Sequence, residues 1–242
     1  MKAIVFAAGV GSRLKPFTDY MPKALVEVGG IPVLARAIKA VADTGADAVA
    51  VNVHHFASVV AQWLRSMDFG VPVFISDESA CLLDTAGGIA EIVRNVPGFD
   101  GTEDILLHNA DIVHDIDLRH MVEQHRRSHA DVTVLVDGRR HSSRAFLFDD
   151  AGRLRGWHDT ANGVLKGIDA PHPKAFGGIH IISSVVAKDI AGTIAPATPA
   201  GITPYYIDNC DRLNVRAFTP EAPYRWHDIG TPEKLLTARE SF

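Results

Sequence analysis

Short apolar runs alternate with amphipathic segments along roughly the first 140 residues. Continuous apolar runs predict buried strands at Lys2–Ala7, Ala48–Val53, Val71–Ser76, Ile105–Leu107 and Val132–Val136. Apolar residues at helical spacing predict helices at Ile31–Thr44, Phe56–Arg65, Gly88–Asn95 and Leu118–His129. This alternation at short spacing indicates an α/β fold, with a parallel sheet and helices on both faces.

The pattern changes in the second part of the chain, where short strands dominate. Ala145–Asp149 and Arg153–His158 flank the turn sequence Asp-Ala-Gly and predict a β-hairpin. Further strands are predicted at Phe176–Ile182, Leu213–Phe218 and Tyr224–His227, followed by a closing helix at Thr231–Glu240. No break in composition separates the two parts, so we predict one domain, 1–242, with lobes at 1–137 and 138–242.

Composition and charge exclude several classes of protein. The 242 residues are 47% hydrophobic and 22% charged, with a formal net charge of −5, and basic runs are short, so nucleic-acid binding is not expected. Cys81 and Cys210 form no CxxC pattern, which disfavours a disulfide scaffold or a zinc cluster. No apolar stretch approaches the roughly 20 residues that a membrane span needs. We therefore expect a soluble, cytoplasmic protein.

The segment FAAGVGSRLKPFTDYMPK follows the first strand and is typical of a phosphate-binding loop. Gly9 and Gly11 let backbone N–H groups approach phosphate, and Arg13 and Lys23 supply positive charge. A dinucleotide loop needs a third glycine where Leu14 stands, and a Walker loop needs Lys followed by Ser or Thr. Neither pattern is present, so the loop is predicted to hold a triphosphate in another way.

Two carboxylates follow predicted strands at distant points of the chain. Asp111 follows the strand that Ile105 opens, and Asp228 follows Tyr224–His227. Carboxylates that meet in one cleft suit Mg²⁺, which prefers carboxylate and phosphate oxygens. The spacing of six between His108, His114 and His120 matches no common zinc pattern, so we expect them to be solvated or to lie behind the site.

These motifs together resemble a known family. The segment FAAGVGSRLKPFTDYMPKALVEVGG, with HNADI at 108–112 and WHDIGTPEKL at 226–235, is similar to the sugar-1-phosphate nucleotidyltransferases of the short single-domain type. The resemblance implies a Rossmann-like, mixed and mostly parallel sheet, with a nucleotide-binding lobe and a smaller β-rich sugar-binding lobe. It also implies Mg²⁺-dependent transfer from a nucleoside triphosphate to a sugar-1-phosphate, with UTP favoured and GTP, CTP and dTTP open. We expect a monomer or small homo-oligomer.

The resemblance also implies roles for individual residues. Arg13 and Lys23 would be catalytic, Asp111 and Asp228 would hold the metal, and Gly177 and Gly178 would lie along the sugar. The nucleotide would be bound by Ala8, Gly9, Gly11, Ser12, Arg13, Lys23, Thr85, Gly87, Gly88 and Asn109.

The chain departs from the family pattern in three places. Ala110 stands where the family usually has Gly, and Asp84 stands where it usually has Glu. The Glu-Lys-Pro sequence that precedes the family's sugar-side strand is absent around Lys166. Cytidylyl transfer to a phospho-alcohol such as phosphocholine, or a non-catalytic nucleotide-sugar sensor, therefore remain alternative hypotheses.

Overall fold

A computed structural model of the chain describes residues 1–137, 140, 142–221 and 223–242. The strands of this structure are β1 (Lys2–Phe6), β2 (Glu27–Val28), β3 (Ile31–Pro32), β4 (Val49–Val53), β5 (Val73–Asp77), β6 (Ile105–Asn109), β7 (Ile112–His114), β8 (Val132–Asp137), β9 (Arg144–Phe148), β10 (Leu154–Asp159), β11 (Val164–Gly167), β12 (His172–Ile182), β13 (Val215–Phe218) and β14 (Trp226–Asp228). The helices are α1 (Val33–Ala42), α2 (Ala57–Ser66), α3 (Asp84–Asn95), α4 (Leu118–Ser128), α5 (Ser184–Thr193), α6 (Ile202–Asp208) and α7 (Pro232–Ser241). None of the described helices is both long enough and apolar enough to cross a membrane.

The main sheet runs in the order β11-β10-β9-β12-β6-β1-β4-β5, and β8 lies beside β12 with β13 beyond it. Strands β6, β1, β4 and β5 pair in parallel, which places their carboxyl ends along one edge. The second half of the chain adds antiparallel pairs around β12 and forms a β-rich extension from β9 to β11. The predicted fold class, a mixed and mostly parallel Rossmann-like sheet, is confirmed.

Strand β1 shows why helices cover both faces of the sheet. Ile4 packs into a core with α3, α5 and α6, whereas Ala3 and Val5 face α1, α2 and α4. This alternation follows from the period of two along a strand, and both faces are apolar because both are covered. A third, smaller core packs α7 beneath the loop that follows β1 and contains the fully buried Leu14.

Several element boundaries differ from those predicted. Helix α1 begins at Val33 because the preceding Ile31–Pro32 pairs with β2 as a strand. Helix α3 begins at Asp84, ahead of the predicted Gly88, and contains Gly87 and Gly88. The sequence pattern does not predict α5, α6, β7 or β11. The predicted boundary between the lobes falls at residue 138, which lies outside the described residues, so the division at 137 stays a prediction.

Candidate active site

The loop after β1 folds back onto Lys23. Gly11 has φ +68°, and a Cβ there would lie 2.8 Å from Cγ2 of Thr18 and 3.1 Å from Cβ of Lys23. The hydroxyl of Thr18 donates a hydrogen bond to the Gly11 carbonyl at 2.8 Å. Only glycine fits this position without strain, because the backbone is left-handed and the space for a side chain is already filled.

A cavity of about 460 Å³ opens at the carboxyl ends of β1 and β6. This is the edge of an open α/β sheet at which ligands bind. Six of the residues predicted for the site line the cavity: Ala8, Gly9, Lys23, Thr85, Asn109 and Asp111. Phe6, Asn52, Leu82, Asp84, Ala110 and Pro199 are among the other residues that line it.

Lys23 and Asp111 form an ion pair in the wall of this cavity. The ammonium Nζ of Lys23 lies 2.6 Å from Oδ2 of Asp111. The lysine side chain is 12% exposed and the aspartate side chain 31%, so water screens this pair less than a surface pair. Both charges are thereby fixed next to the glycine loop.

Asp228 reaches the same place from the end of the chain. Strand β14 pairs antiparallel with β7, which places Asp228 opposite Ile112. The N–H of Ile229 donates to the carbonyl of Asp111 at 3.0 Å. The two predicted metal ligands therefore lie on neighbouring backbone segments, although more than a hundred residues separate them in the sequence.

The carboxylate of Asp228 has a cation of its own. Lys234 Nζ lies 2.9 Å from Oδ1 and 2.7 Å from Oδ2, and the N–H of Gly230 also donates to Oδ1. Burial acts to raise the pKa of Asp228, but hydrogen bonding and charge from Lys234 outweigh it, and the pKa lies below its usual range. Asp228 is therefore held as a carboxylate.

Gly230 keeps space between Asp228 and Arg13. A Cβ on Gly230 would lie 2.9 Å from Oδ1 of Asp228 and 3.7 Å from Nη2 of Arg13. The guanidinium of Arg13 thus lies on the Asp228 side of the site, and the Arg13 side chain is exposed. Ser12 opens the short 3₁₀ turn Ser12–Leu14, which carries Arg13 into this position.

Two carboxylates, Asp111 and Asp228, are the predicted ligands of a magnesium ion. The described residues contain no group of three or more His, Cys, Asp or Glu side chains placed to hold a metal ion. Mg²⁺ needs only one or two carboxylates when substrate phosphates and water complete its shell. Asp111 and Asp228 meet that number, and their role as magnesium ligands remains a prediction.

The start of α3 forms another side of the cavity. The hydroxyl of Thr85 accepts a hydrogen bond from the N–H of Ile202 at 2.8 Å. The N–H groups of Ala86 and Gly87 both donate to the carbonyl of Ala200, and a Cβ on Gly87 would lie 2.5 Å from the carbonyl oxygen of Thr198. Gly87 thus allows α3 to pack closely against this segment.

Gly88 lies against a buried polar network that the sequence analysis missed. A Cβ on Gly88 would lie 2.9 Å from Oε1 of Glu78, and Asn52 donates to that same oxygen at 2.9 Å. Asn52 also accepts from the N–H of Ala7 at 2.8 Å, and Glu78 accepts from the N–H of Leu83. The network ties the end of β1 to the loop before α3. The sequence signal for this network is the polar Asn52 near the end of the apolar run AVAVNV.

Asp84 also lies in this wall, with an unusual backbone. Its φ of +58° is in the left-handed region, and its Oδ1 accepts a hydrogen bond from the N–H of Thr85. Positive φ is uncommon outside glycine, although Asp tolerates it better than most residues. The predicted nucleotide contacts of Thr85, Gly87 and Gly88 remain predictions.

Gly177 and Gly178 lie where β12 passes from the sheet to the β-rich extension. A Cβ on Gly178 would lie 3.1 Å from Nδ2 of Asn109, so this glycine backs the first cavity. The carbonyl of Gly177 accepts from the indole N–H of Trp226, and the guanidinium of Arg140 lies 3.6 Å from the centre of a Trp226 ring. Their predicted contact with a sugar remains a prediction.

His108 and His114 form a stacked pair behind Asn109. Ile116 N–H donates to Nδ1 of His114, so a neutral His114 carries its hydrogen on Nε2, which lies 3.0 Å from Nε2 of His108. Nδ1 of His108 in turn lies 2.9 Å from the carbonyl of Asn109. Burial lowers the pKa of His108 to about 3 and that of His114 to about 4. Of the two predicted alternatives, solvated or behind the site, the structure gives these two histidines the second.

More than half of the chain matches a known protein family. The family profile described as "Nucleotidyl transferase" matches residues 2–146. The chain belongs to this family. The predicted membership in the sugar-1-phosphate nucleotidyltransferases, which are enzymes, is confirmed.

Individual members of the family are similar over most of the chain. N-acetylmuramate alpha-1-phosphate uridylyltransferase from Caulobacter vibrioides is 28% identical over 247 residues, which cover 98% of this chain and 94% of that protein. UTP–glucose-1-phosphate uridylyltransferase from Synechocystis is also 28% identical, but the chain spans only 60% of its length. A crystal structure from Bacillus anthracis, with bound sucrose, aligns with the whole of this chain at a TM-score of 0.81 and 20% identity. This match confirms the fold.

Proposed function

We propose that the chain transfers a uridylyl group from UTP to a sugar-1-phosphate and releases pyrophosphate. The observation that carries this proposal is the convergence of Lys23 and Asp111 with Asp228 and Arg13 at one edge of the sheet. Lys23 and Asp111 line the cavity, and Asp228 and Arg13 lie near Gly230, beside the segment that bonds to Asp111. Two carboxylates and two cations match the needs of a nucleotide that carries both phosphate charge and a divalent ion. The uridylyltransferase from Caulobacter, similar over nearly its whole length, supports UTP as the donor.

The chemistry requires in-line displacement at phosphorus. A phosphate oxygen of the sugar-1-phosphate bonds to the α-phosphorus of UTP, and the bond from that phosphorus to the bridging oxygen of the β-phosphate breaks. The attacking oxygen is already anionic, so no residue needs to remove a proton. Catalysis then depends on positioning and on neutralising charge.

Each functional side chain has a place in this scheme. Arg13 neutralises the departing β- and γ-phosphates, and Lys23 neutralises the α-phosphate or the attacking phosphate. Asp111 and Asp228 would hold Mg²⁺, which supplies Lewis-acid stabilisation of the phosphate oxygens when bound. Gly9, Gly11 and Ser12 offer backbone N–H groups to the phosphates.

A substrate panel tests the proposal. Pyrophosphate release is followed with UTP, GTP, CTP and dTTP, each paired with glucose, mannose and N-acetylglucosamine 1-phosphates, and CTP is also paired with phosphocholine. The proposal predicts the highest kcat/KM with UTP and a sugar-1-phosphate in the presence of Mg²⁺. A clear preference for GTP or dTTP contradicts the choice of base, and turnover of CTP with phosphocholine alone supports the cytidylyl alternative. Nucleotide binding without any pyrophosphate release supports the sensor.

A further inference from the structure

Arg140 is a half-buried cation beside the candidate site that belongs to none of its sequence motifs. It follows strand β8, and Cζ of its guanidinium lies 3.6 Å from the centre of a Trp226 ring. Its Nη1 donates a hydrogen bond to the carbonyl of Phe176 at 3.3 Å. Because an indole ring attracts a cation at this distance, the two contacts together hold the guanidinium in place.

Trp226 places this cation on the same side of the site as Asp228. The two residues are two positions apart on β14, so their side chains lie on one face of the strand. The indole N–H of Trp226 donates to the carbonyl of Gly177 at 2.9 Å, which fixes the ring. Burial lowers the pKa of Arg140, and the negative charges of Asp228 and Asp137 act in the opposite direction, as expected for groups that lie close together.

Arg140 also contacts the strand that backs the nucleotide cavity. Phe176, whose carbonyl accepts from Arg140, directly precedes Gly177 and Gly178 on β12. A Cβ on Gly178 would lie 3.1 Å from Nδ2 of Asn109, which lines the cavity. The guanidinium is therefore held between β12 and β14, at a different part of the site from the loop after β1.

The guanidinium keeps donors available beyond these contacts. Arginine carries five N–H donors, and a buried donor that stays unpaired is costly. Among the residues that the structure describes, no Asp or Glu oxygen lies within 4.0 Å of a guanidinium nitrogen of Arg140. Guanidinium groups bind phosphate through paired N–H bonds, so a phosphate oxygen is a fitting partner for the remaining donors.

We propose that Arg140 binds the phosphate of the acceptor and directs its attacking oxygen at the α-phosphorus of the nucleotide. This inference rests on the proposed nucleotidyl transfer and adds a residue to its binding machinery. Arg13 and Arg140 then act on different groups, since Arg13 neutralises the phosphates that leave and Arg140 holds the phosphate that attacks. Arg140 transfers no proton, because a guanidinium stays charged in proteins.

Kinetics of the forward reaction test this role with the sugar-1-phosphate that has the highest kcat/KM in the substrate panel. Arg140→Gln should raise KM for this acceptor by about 10-fold to 100-fold, the value of a charge-assisted hydrogen bond, and leave KM for UTP within about 2-fold. Arg140→Lys should give an intermediate KM, because an ammonium keeps the charge but lacks the paired donors. Arg127→Gln is the matched control, since Arg127 is 81% exposed on α4, and it should change neither KM by more than about 2-fold.

The reverse reaction separates the two arginines, because its substrates are the UDP-sugar made from that acceptor and pyrophosphate. Arg140→Gln should raise KM for the UDP-sugar and leave KM for pyrophosphate within about 2-fold, whereas Arg13→Ala should raise KM for pyrophosphate.

Three outcomes overturn the role of Arg140. They are a rise in KM for UTP or pyrophosphate equal to that for the sugar substrate, a loss of kcat with every KM unchanged, and an Arg140→Lys variant with the wild-type KM for the acceptor. The lysine variant alone decides the matter where Arg140→Gln does not fold. Absence of wild-type turnover with every donor and acceptor contradicts the proposed function itself, and this inference falls with it.

Discussion

The ammonium of Lys23 lies 2.6 Å from the carboxylate of Asp111, although 88 residues separate the two in the sequence. Lys23 lies in the segment after β1, and Asp111 lies just after β6. The pair forms because β1 and β6 are parallel neighbours. The lysine thus compensates the negative charge of the carboxylate, and its own positive charge lies in the cavity lining. The relationship ties the phosphate-binding side of the proposed site to its metal-binding side.

Asp111→Asn should lower kcat by about 100-fold to 1,000-fold, the loss seen when one preorganised electrostatic contact is removed. The amide keeps the shape but loses the charge that Mg²⁺ needs, so the concentration of Mg²⁺ for half-maximal rate should rise. Initial rates across a Mg²⁺ titration measure both effects. Asp43→Asn is the control, because Asp43 pairs with Lys39 on an exposed surface. A wild-type Mg²⁺ dependence in Asp111→Asn contradicts the metal assignment.

Arg13→Ala should lower kcat/KM for UTP by about 100-fold or more, because the proposed neutralisation of the leaving phosphates depends on its guanidinium. Lys15 offers a matched comparison in the same loop, since its Nζ pairs with Asp19 at 2.9 Å and its side chain is 63% exposed. Lys15→Ala should change kcat/KM by less than about 2-fold. Similar losses from both substitutions show that general loop charge, and not Arg13, binds the triphosphate.

Gly87→Ala should destabilise the protein by about 1–3 kcal/mol, the usual cost of overpacking. The new Cβ would lie 2.5 Å from the Thr198 carbonyl oxygen and 3.3 Å from the Ala200 nitrogen. Gly192→Ala in α5 is the control, because no described atom beyond its chain neighbours and its own helical backbone lies within 4 Å of its Cβ position, and alanine there should stabilise by up to about 1 kcal/mol. Urea unfolding measures both free energies. Equal changes at the two positions contradict the close packing of α3.

Stability should fall as the pH drops from about 6.5 toward 4, because His108 and His114 are neutral in the folded protein. Their folded pKa values, about 3 and about 4, lie below the ordinary value of 6.5. The unfolded chain therefore binds more protons in this window, and each histidine costs about 1.4 kcal/mol per pH unit. Urea unfolding at pH 7, 6 and 5 measures this slope. His108→Asn should reduce the slope, and a pH-independent free energy of unfolding contradicts the neutral pair.

The fold was largely predictable because its apolar runs are continuous and its strands are covered on both faces. Helices α5 and α6 were not, since SVVAKDIAGT is rich in β-branched residues and ITPYYID contains a proline. Both helices are stabilised by contacts outside their own pattern. Ser183 caps α5, and the N–H of Ile202 in α6 donates a hydrogen bond to Thr85. Local pattern cannot report such contacts.

The candidate site also has a part that the sequence predicts and a part that it does not. Gly11, Arg13, Lys23, Asp111 and Asp228 could be chosen as candidates because each lies in a local motif that includes or follows a strand. The network of Asn52 with Glu78 and the cation on Asp228, Lys234, depend on which segments meet in three dimensions. No local spacing marks either pair in advance.

The most direct test of the central claim is ³¹P NMR of the purified protein with UTP, Mg²⁺ and each of a set of sugar-1-phosphates in turn. Nucleotidyl transfer predicts that the UTP and sugar-phosphate resonances decrease together, while a UDP-sugar and pyrophosphate appear in equal amounts. The wild-type spectrum should change in this way, and that of Asp111→Asn should change far more slowly. Release of inorganic phosphate and UDP, hydrolysis of UTP to UMP without a UDP-sugar, or an unchanged spectrum with every acceptor would contradict the account.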